Sequence, residues 1–236
     1  MRLRVLDHAE AVAGAAADFV AAAVSARPAA VLALPTGRTP IPLYDALAAR
    51  HEKGAIDLSG ARGFNLDELA LPPADPRTFR AYMERHAWGR TGLKRERCAI
   101  PDGGAADLEA ECRRYEAAIE AAGGLDLAIL GMGADGHVAY NMPGPVTLST
   151  HVTRLPDGLA ASLGVPPEAW PLRALTMGLG TIRGARALLV LATGAAKATA
   201  LRALVQGAED PDWPCSFLGK HADLEVLLDP AAASAL

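Results

Sequence analysis

Two side chains that can transfer protons lie in a short glycine-rich segment. Asp135 and His137 are two positions apart, soon after a six-residue apolar run, 125–130, that predicts a strand buried on both faces. A carboxylate beside an imidazole at the end of such a strand is where open α/β sheets place acid–base chemistry. Gly133 and Gly136 let the backbone approach a ligand closely. The segment therefore predicts a site of proton transfer.

Two other interpretations of this segment compete with the first. The spacing of its glycines also matches the fingerprint of dinucleotide-binding proteins, but that fingerprint needs a helix that begins at the loop. Asn141 and Pro143 follow too closely for such a helix, so nicotinamide binding is disfavoured. The other alternative is an exposed turn whose aspartate and histidine have no function, and only the rest of the chain can decide against it.

A second loop has the composition of an anion site. Thr36, Gly37, Arg38 and Thr39 lie between an apolar run, 29–34, and a helical pattern. Unpaired N–H groups at a helix N-terminus, hydroxyl donors and the helix dipole together favour phosphate. A plain capped turn explains the threonine and proline residues equally well, since both commonly begin helices.

A third loop and a lysine complete the set of candidate residues. Asp67 and Glu68 follow a predicted strand, 61–64. In a cleft Asp67 could alternate between base and acid, whereas on a surface the two carboxylates would cap a helix or be solvated in a turn. Lys197 stands at the start of a further helix, where a cation opposes the dipole; it indicates an anionic partner or is a solvated surface lysine.

The spacing of apolar residues and helix breakers predicts the elements that position these loops. Helices are expected over 8–26, 41–53, 78–88, 107–122 and 197–206, with a short one near 181, and strands over 29–34, 61–64, 125–130, 146–155, 172–177, 187–191 and 224–228. Their alternation predicts an α/β fold with a single doubly wound, mostly parallel sheet flanked by helices, Rossmann-like. Because no repeat or linker interrupts the pattern, we expect one domain over 1–236.

The composition of the chain excludes several functional classes. There are 23 basic and 27 acidic residues, a net charge of −4, without the basic cluster that nucleic-acid binding needs. Three cysteines lie far apart, which predicts neither disulfides nor a metal site and fits a reducing compartment. The N-terminal region has early acidic residues and no apolar run of signal-peptide or membrane length, so we expect a cytoplasmic protein that does not bind membranes.

Five segments, in the same order along the chain, resemble one family. These segments, 34–40, 64–68, 131–143, 174–181 and 194–197, are similar to the glucosamine-6-phosphate deaminase family, in the superfamily shared with 6-phosphogluconolactonase and ribose-5-phosphate isomerase. The resemblance implies a doubly wound α/β fold. It also implies aldose–ketose isomerisation of a phosphorylated amino sugar, with release of ammonia and formation of fructose 6-phosphate. Such chemistry requires no metal and no organic cofactor, and the resemblance leaves open a homo-oligomer.

The same resemblance implies a role for each candidate residue. Asp67 would move a proton between C2 and C1, and Asp135 with His137 would open the sugar ring. Further contacts with the substrate are implied for residues of the same loops: to the phosphate from Thr36, Gly37, Arg38, Thr39 and Lys197, and to the sugar from Glu68, Gly133 and Gly136.

Two departures from the family pattern keep alternatives open. Met142 stands where the deaminases carry a glutamate that completes a triad with Asp135 and His137, and methionine can neither accept a proton nor orient an imidazole. This departure favours a lactonase, whereas Leu69, where lactonases carry arginine, disfavours one. A sugar-phosphate sensor without turnover is a third interpretation. Arg38 replaces the family's usual glycine or serine, and we expect its guanidinium to bind the phosphate bidentately.

Overall fold

The computed structural model describes all 236 residues of the chain. They form ten strands and seven α-helices, which in chain order are β1 (Arg2–Val5), α1 (Ala9–Ala26), β2 (Val31–Leu34), α2 (Ile41–Glu52), β3 (Arg62–Asn65), β4 (Asp67–Leu69), α3 (Phe79–His86), β5 (Cys98–Ala99), α4 (Leu108–Ala121), β6 (Leu127–Leu130), β7 (His151–Arg154), α5 (Asp157–Ser162), β8 (Arg173–Thr176), α6 (Leu179–Arg183), β9 (Ala187–Ala192), α7 (Ala198–Gln206) and β10 (Leu224–Leu228). Every predicted helix and strand is present, most with only small shifts at their ends.

Seven of the strands form one sheet in the order β1-β10-β9-β6-β2-β3-β5. All of its strand pairs are parallel. The central strands are continuous apolar runs because helices cover both of their faces. The predicted α/β fold with a mostly parallel sheet flanked by helices is confirmed.

Alternate residues of each central strand enter two different cores. In β2, Leu32 and Leu34 pack with α1 and α2, while Val31 and Ala33 pack with α4, α6 and α7. This alternation follows from the two-residue period of a strand, which directs successive side chains to opposite faces. The helices are therefore held on both sides of one sheet.

The order in which strands are added to the sheet reverses between β2 and β6, which are parallel neighbours. From β2 the chain continues to β3 on one side, and from β6 it continues to β9 on the other. The loops that leave the carboxyl ends of β2 and β6 therefore turn away from each other and leave a crevice between them. In open α/β sheets ligands bind in such a crevice.

Three strands lie outside the predicted single sheet. β4, β8 and β7 form a small antiparallel sheet in which Thr176 lies opposite both Asp67 and His151. The strand predicted over 146–155 begins only at His151, because the carbonyls of Thr147 and Leu148 accept hydrogen bonds from the first turn of α6 instead. This second sheet carries Asp67, so it is part of what positions the candidate site.

Three further elements have no counterpart in the sequence prediction. β1 is a four-residue edge strand whose residues are all exposed, β5 has only two residues, and α5 is a short six-residue helix. Each lacks the length or the periodicity from which an element can be recognised in a sequence.

Helix α1 is long and apolar enough, by length and composition alone, to cross a membrane, which the sequence analysis did not expect. Its mean hydropathy is 1.4 over 18 residues. Buried Val12, Ala16, Val20 and Val24 recur at helical spacing and belong to the core cluster on one face of the sheet. The apolar composition of α1 is thus accounted for by its packing against that sheet.

Candidate active site

A cavity of about 490 Å³ opens at the crevice beside β2 and β6. Its walls come from the loops that follow these two strands, from β4 and α5, and from the turn before α7. Eight of the predicted site residues line it: Thr36, Gly37, Arg38, Thr39, Asp67, Gly133, His137 and Lys197. Asp135 does not line the cavity but contacts His137, which does, and neither Glu68 nor Gly136 lines it.

Asp67 is the first residue of β4 and is 6% exposed. The hydroxyl of Thr36 donates to its Oδ1 at 3.3 Å. Burial raises the pKa of the Asp67 carboxyl to about 7, and the neighbouring charge of Glu68 contributes to the increase. A carboxyl with a pKa near neutrality can both accept and return a proton, which is the property expected of an acid–base catalyst.

Glu68 points away from the cavity, on the opposite side of β4 from Asp67. It is 2% exposed, and its carboxylate accepts hydrogen bonds from the backbone N–H groups of Leu69, Phe79 and Arg80 at 2.7–2.9 Å. Burial nevertheless leaves the pKa of Glu68 raised. The predicted contact between Glu68 and the substrate does not fit this geometry, because its oxygens are occupied in capping the first turn of α3.

The predicted pair of Asp135 and His137 is formed in the structure. Nδ1 of His137 lies 2.7 Å from Oδ1 of Asp135, and this hydrogen bond lowers the pKa of the Asp135 carboxyl. Because the carboxylate engages Nδ1, Nε2 is the nitrogen that remains for a ligand. His137 lines the cavity and Asp135 does not. Asp135 therefore orients the imidazole from behind.

Glycine is required at two positions of this loop for different reasons. A Cβ at Gly133 would overlap the His137 ring and the Asp135 carboxylate, so only glycine leaves room for that pair. Gly136 has φ +82°, and a Cβ there would lie 2.8 Å from the Trp213 ring. Gly136 does not line the cavity, so the predicted substrate contact does not fit its position. Its role is to let the loop turn against the segment that contains Trp213.

Two cations without a carboxylate partner face the same cavity. Arg38 is exposed and Lys197 is half-buried, and neither forms an ion pair within the chain. Burial lowers the pKa of Lys197, while the charge of Asp135 opposes that shift. The loop that carries Arg38 is fixed from below, since the Tyr82 hydroxyl donates to the carbonyl of Gly37 at 2.7 Å. The arrangement suits an anion, whose charge these two side chains would neutralise.

Several wall residues were not predicted from the sequence. They are mostly apolar, and they are Leu66, Phe79, Met132, Ala139, Tyr140, Leu159, Ser162 and Leu163. Tyr140 lies within the segment 131–143, three positions after His137, but nothing in the sequence distinguished its side chain from its neighbours. The residues of α5 gave no signal either, because the helix itself was not predicted.

Met142 does not enter the cavity that holds His137. Its side chain packs partly buried against the core and lines a neighbouring cavity of about 390 Å³. Asp135 is therefore the one carboxylate that contacts the imidazole. His137 and Asp135 thus form a pair, without the second carboxylate that would make a triad.

Fold and site together define a doubly wound α/β protein whose crevice holds two unpaired cations, a buried aspartate and a histidine paired with a second aspartate. The sequence profile of the glucosamine-6-phosphate isomerases/6-phosphogluconolactonase family matches residues 6–227. The chain belongs to this family. Among its relatives, the glucosamine-6-phosphate deaminase of Beutenbergia cavernae is 41% identical over 242 residues, which cover all of this chain and 93% of the relative. The enzyme of the same name from Mycolicibacterium smegmatis is also 41% identical, with the same coverage.

Solved structures give the same family. A glucosamine-6-phosphate deaminase described as monomeric superimposes with a TM-score of 0.93 at 36% identity, and the match covers both chains completely. The 6-phosphogluconolactonase of Trypanosoma cruzi superimposes with a TM-score of 0.81 at 20% identity, over all of this chain and 96% of that one. The second similarity concerns the fold alone.

Proposed function

We propose that this chain is a glucosamine-6-phosphate deaminase, which converts glucosamine 6-phosphate and water into fructose 6-phosphate and ammonia. The observation that carries the proposal is the shared cavity of Asp67, whose pKa is about 7, His137 with its orienting Asp135, and the unpaired cation Lys197. The names of the full-length relatives at about 40% identity agree with it.

Binding of the substrate begins with its phosphate. We place the phosphate on the loop Thr36–Thr39, between Arg38 and Lys197, where hydroxyls, backbone N–H groups and two positive charges converge. The phosphate takes no part in the chemistry. Its binding energy aligns the sugar between Asp67 and His137, so that reacting atoms and catalytic groups are held in position.

The reaction then needs two proton-transferring groups. His137 gives a proton to the ring oxygen as the C1–O5 bond breaks, and the C1 hydroxyl loses its proton to leave an aldehyde. Asp67 takes the proton from C2 as the C1 oxygen regains the proton that it lost on ring opening, which gives an enol. Asp67 then returns its proton to C1, which moves the double bond and leaves an iminium at C2. Water adds to C2 and ammonia departs, which is the hydrolytic part of the reaction. These steps consist of proton transfers, the addition of water and the loss of ammonia, so we propose that no cofactor takes part.

A lactonase is the second candidate. Two observations favour it: the fold similarity to 6-phosphogluconolactonases, and Met142 at the position where deaminases carry a glutamate. Leu69 argues against it. This side chain is fully buried and pairs with Ala174 in the small sheet, so no cation is present where the lactonase resemblance expects an arginine.

One comparison of substrates tests the proposal. We expect the purified protein to release ammonia from glucosamine 6-phosphate and to release no acid from 6-phosphogluconolactone. The opposite result would establish the lactonase. Thermal stabilisation by the sugar phosphate, without either product, would instead show a sensor of the kind that binds its ligand without turnover.

The proposal extends to organisation and location. We propose that residues 1–236 act as one domain, because both core clusters are built on the same seven-stranded sheet. We also propose that the protein works in the cytoplasm, because its three cysteines are unpaired, as expected in a reducing compartment.

Replacing Arg38 with alanine should raise the KM for glucosamine 6-phosphate about tenfold and leave kcat nearly unchanged, because a lost phosphate contact weakens ground and transition states alike. Steady-state kinetics of ammonia release measures both constants. Arg62→Ala is the matched control, since Arg62 is an exposed arginine on β3 outside the cavity. An Arg38 variant with the KM of the Arg62 variant would remove Arg38 from the phosphate site.

The pH dependence of kcat/KM should reflect the ionisation of Asp67. Activity is expected to fall as the pH drops through about 7, because Asp67 then becomes protonated and can no longer accept a proton. Glu68→Gln removes a negative charge that raises this pKa. The acidic limb of the pH profile, where activity falls, should therefore move to lower pH. The variant should also unfold at a lower temperature, because the amide nitrogen that replaces one carboxylate oxygen cannot accept from the N–H groups of α3.

The matched control for Glu68 lies on α3, the helix whose first turn Glu68 caps. Glu84→Gln removes an exposed carboxylate that pairs with Arg95 at 3.0 Å, and it should leave the acidic limb where it is. If both variants keep the limb of the unmodified protein, the charge of Glu68 does not tune Asp67.

A further inference from the structure

Tyr140 differs from the other tyrosines in the partners of its hydroxyl. The chain has four tyrosines, and three of them donate to backbone carbonyls: Tyr44 to Pro35, Tyr82 to Gly37 and Tyr115 to Asn65, all at 2.7–2.8 Å. The Tyr140 hydroxyl has no acceptor within the protein, although the residue is only 7% exposed. A buried phenol normally finds a partner, because leaving it without one is unfavourable.

The unpartnered hydroxyl is open to the cavity. The side-chain atoms that are both enclosed and without a partner belong to Asn65, Trp88 and Asn141, and the Tyr140 oxygen is not among them. Tyr140 forms part of the wall that also contains Asp67 and His137. Tyr140 also borders the neighbouring cavity of about 390 Å³, but the charges of Asp67 and Glu68 act on its hydroxyl, so we place the hydroxyl on the side of Asp67.

The ring of Tyr140 is held in place by contacts on two sides. It stacks on Phe79 with ring centroids 5.9 Å apart and an interplanar angle of 27°. Its backbone N–H donates to the hydroxyl of Thr176 at 2.9 Å, and Thr176 pairs with Asp67 across β4 and β8. The same strand pair thus fixes the phenol relative to the Asp67 carboxylate. A donor fixed in this way loses little freedom when it binds a ligand.

The chemistry of the hydroxyl follows from its surroundings. Burial, with smaller contributions from the charges of Asp67 and Glu68, holds the pKa of Tyr140 well above its usual range, so the group remains a phenol. A phenol near Asp67 serves the part of the sugar on which Asp67 acts. The phosphate end of the cavity already has Arg38, Lys197 and the threonine hydroxyls.

We propose that the Tyr140 hydroxyl donates a hydrogen bond to a sugar oxygen beside the carbons between which Asp67 moves a proton. Tyr140 is thereby a further substrate-binding residue, and it contributes to the choice of sugar. The proton stays on the tyrosine throughout. This inference rests on the proposed function for the identity of the sugar. The location of the donor comes from the cavity itself.

The decisive variant is Tyr140→Phe, which removes the hydroxyl and keeps the ring stacked on Phe79. We expect kcat/KM for glucosamine 6-phosphate to fall about tenfold or more, while the inhibition constant for inorganic phosphate stays within twofold. Titration calorimetry with the C1-reduced, open-chain analogue of the substrate, which cannot react, should show affinity weakened about fivefold. The melting temperature should stay the same, because the hydroxyl has no partner in the protein.

Tyr115→Phe is the matched control. Its hydroxyl donates to the buried carbonyls of Asn65 and Ala99, so its removal should lower the melting temperature by about 2–5 °C. Affinity for the reduced analogue should stay within twofold, since Tyr115 does not line the cavity. The two variants therefore separate loss of a substrate contact from loss of stability.

The outcomes are distinguishable from failure of the proposed function. Unmodified protein that releases no ammonia would refute the deaminase, and the analogue titration would still decide on Tyr140. A Tyr140→Phe variant within twofold of the unmodified protein in both kcat/KM and analogue affinity would overturn the inference. It is also overturned if the analogue does not bind the unmodified protein, or if the Tyr140 variant weakens phosphate and analogue equally or melts early like Tyr115→Phe.

Discussion

Asp67→Asn is expected to lower kcat for ammonia release by about 10⁴-fold and to change the affinity for the reduced substrate analogue by no more than a few fold. An amide has the shape of the carboxylate and can still accept from the Thr36 hydroxyl, but it cannot take the proton from C2. Single-turnover kinetics and calorimetry measure the two quantities. A variant that retains the kcat of the unmodified enzyme would exclude Asp67 as the base.

The same substitution makes a prediction about stability. The folded-state pKa of Asp67, about 7, lies above the ordinary value of 3.8. Between these two pH values the Asp67 carboxyl is protonated in the native state and ionised in the unfolded chain. Native stability therefore decreases as the pH rises from about 4 to about 7, and asparagine avoids that loss. Denaturant unfolding at pH 8 should show Asp67→Asn to be more stable by about 4 kcal/mol, and the difference should disappear near pH 4. Equal stability at pH 8 would mean that Asp67 is not desolvated.

His137→Gln should lower kcat/KM for glucosamine 6-phosphate by about 10²- to 10³-fold, because glutamine can form a hydrogen bond but cannot protonate the ring oxygen. The side chain of His137 is 25% exposed, so the substitution is compatible with the fold. The measurement is steady-state ammonia release at saturating and limiting substrate.

An analogue without the C4 and C5 hydroxyls, which can form neither a five-membered nor a six-membered ring, separates ring opening from isomerisation. His137→Gln should therefore affect its turnover much less than that of the natural sugar. Asp135→Asn is the graded control: it keeps the imidazole but weakens the contact at 2.7 Å that orients it, and should give an intermediate loss. Equal damage to both substrates would place His137 in a step other than ring opening.

The sheet and its helices were predictable because their signals are periodic and local. The apolar runs of β2, β6 and β9 mark strands covered on both faces, and the amphipathic pattern of α4 marks a helix. The small antiparallel sheet was not predictable in this way. β4 has three residues, and it pairs with β8 from a distant part of the chain, so only the tertiary fold reveals it.

The candidate site shows the same limit. Asp67 and Glu68 are adjacent, and the sequence offered a catalytic and a capping interpretation for both. In the structure Asp67 has the position expected for catalysis and Glu68 the position of a helix cap. The reason is the two-residue period of β4, which turns Asp67 to the cavity and Glu68 to α3. Tyr140 had no signal of its own, since its importance depends on a missing hydrogen-bond partner, a property of the folded chain. Self-association of the protein stays a prediction.

The excursion between β7 and β8, residues 156–171, forms one wall of the cavity. The N–H of Leu155 donates to the carbonyl of Leu172 at 2.9 Å, so the excursion leaves and rejoins the small sheet at one point. Leu159 and Leu163 reach the cavity from within it. A change in the length of residues 156–171 that keeps the core contacts of Ala160 and Val165 would consequently leave the pairing of β4 with β8, and with it Asp67, in place. Variation in this one stretch offers a route by which the same scaffold could be adapted, in nature or by engineering, to sugar phosphates of other sizes.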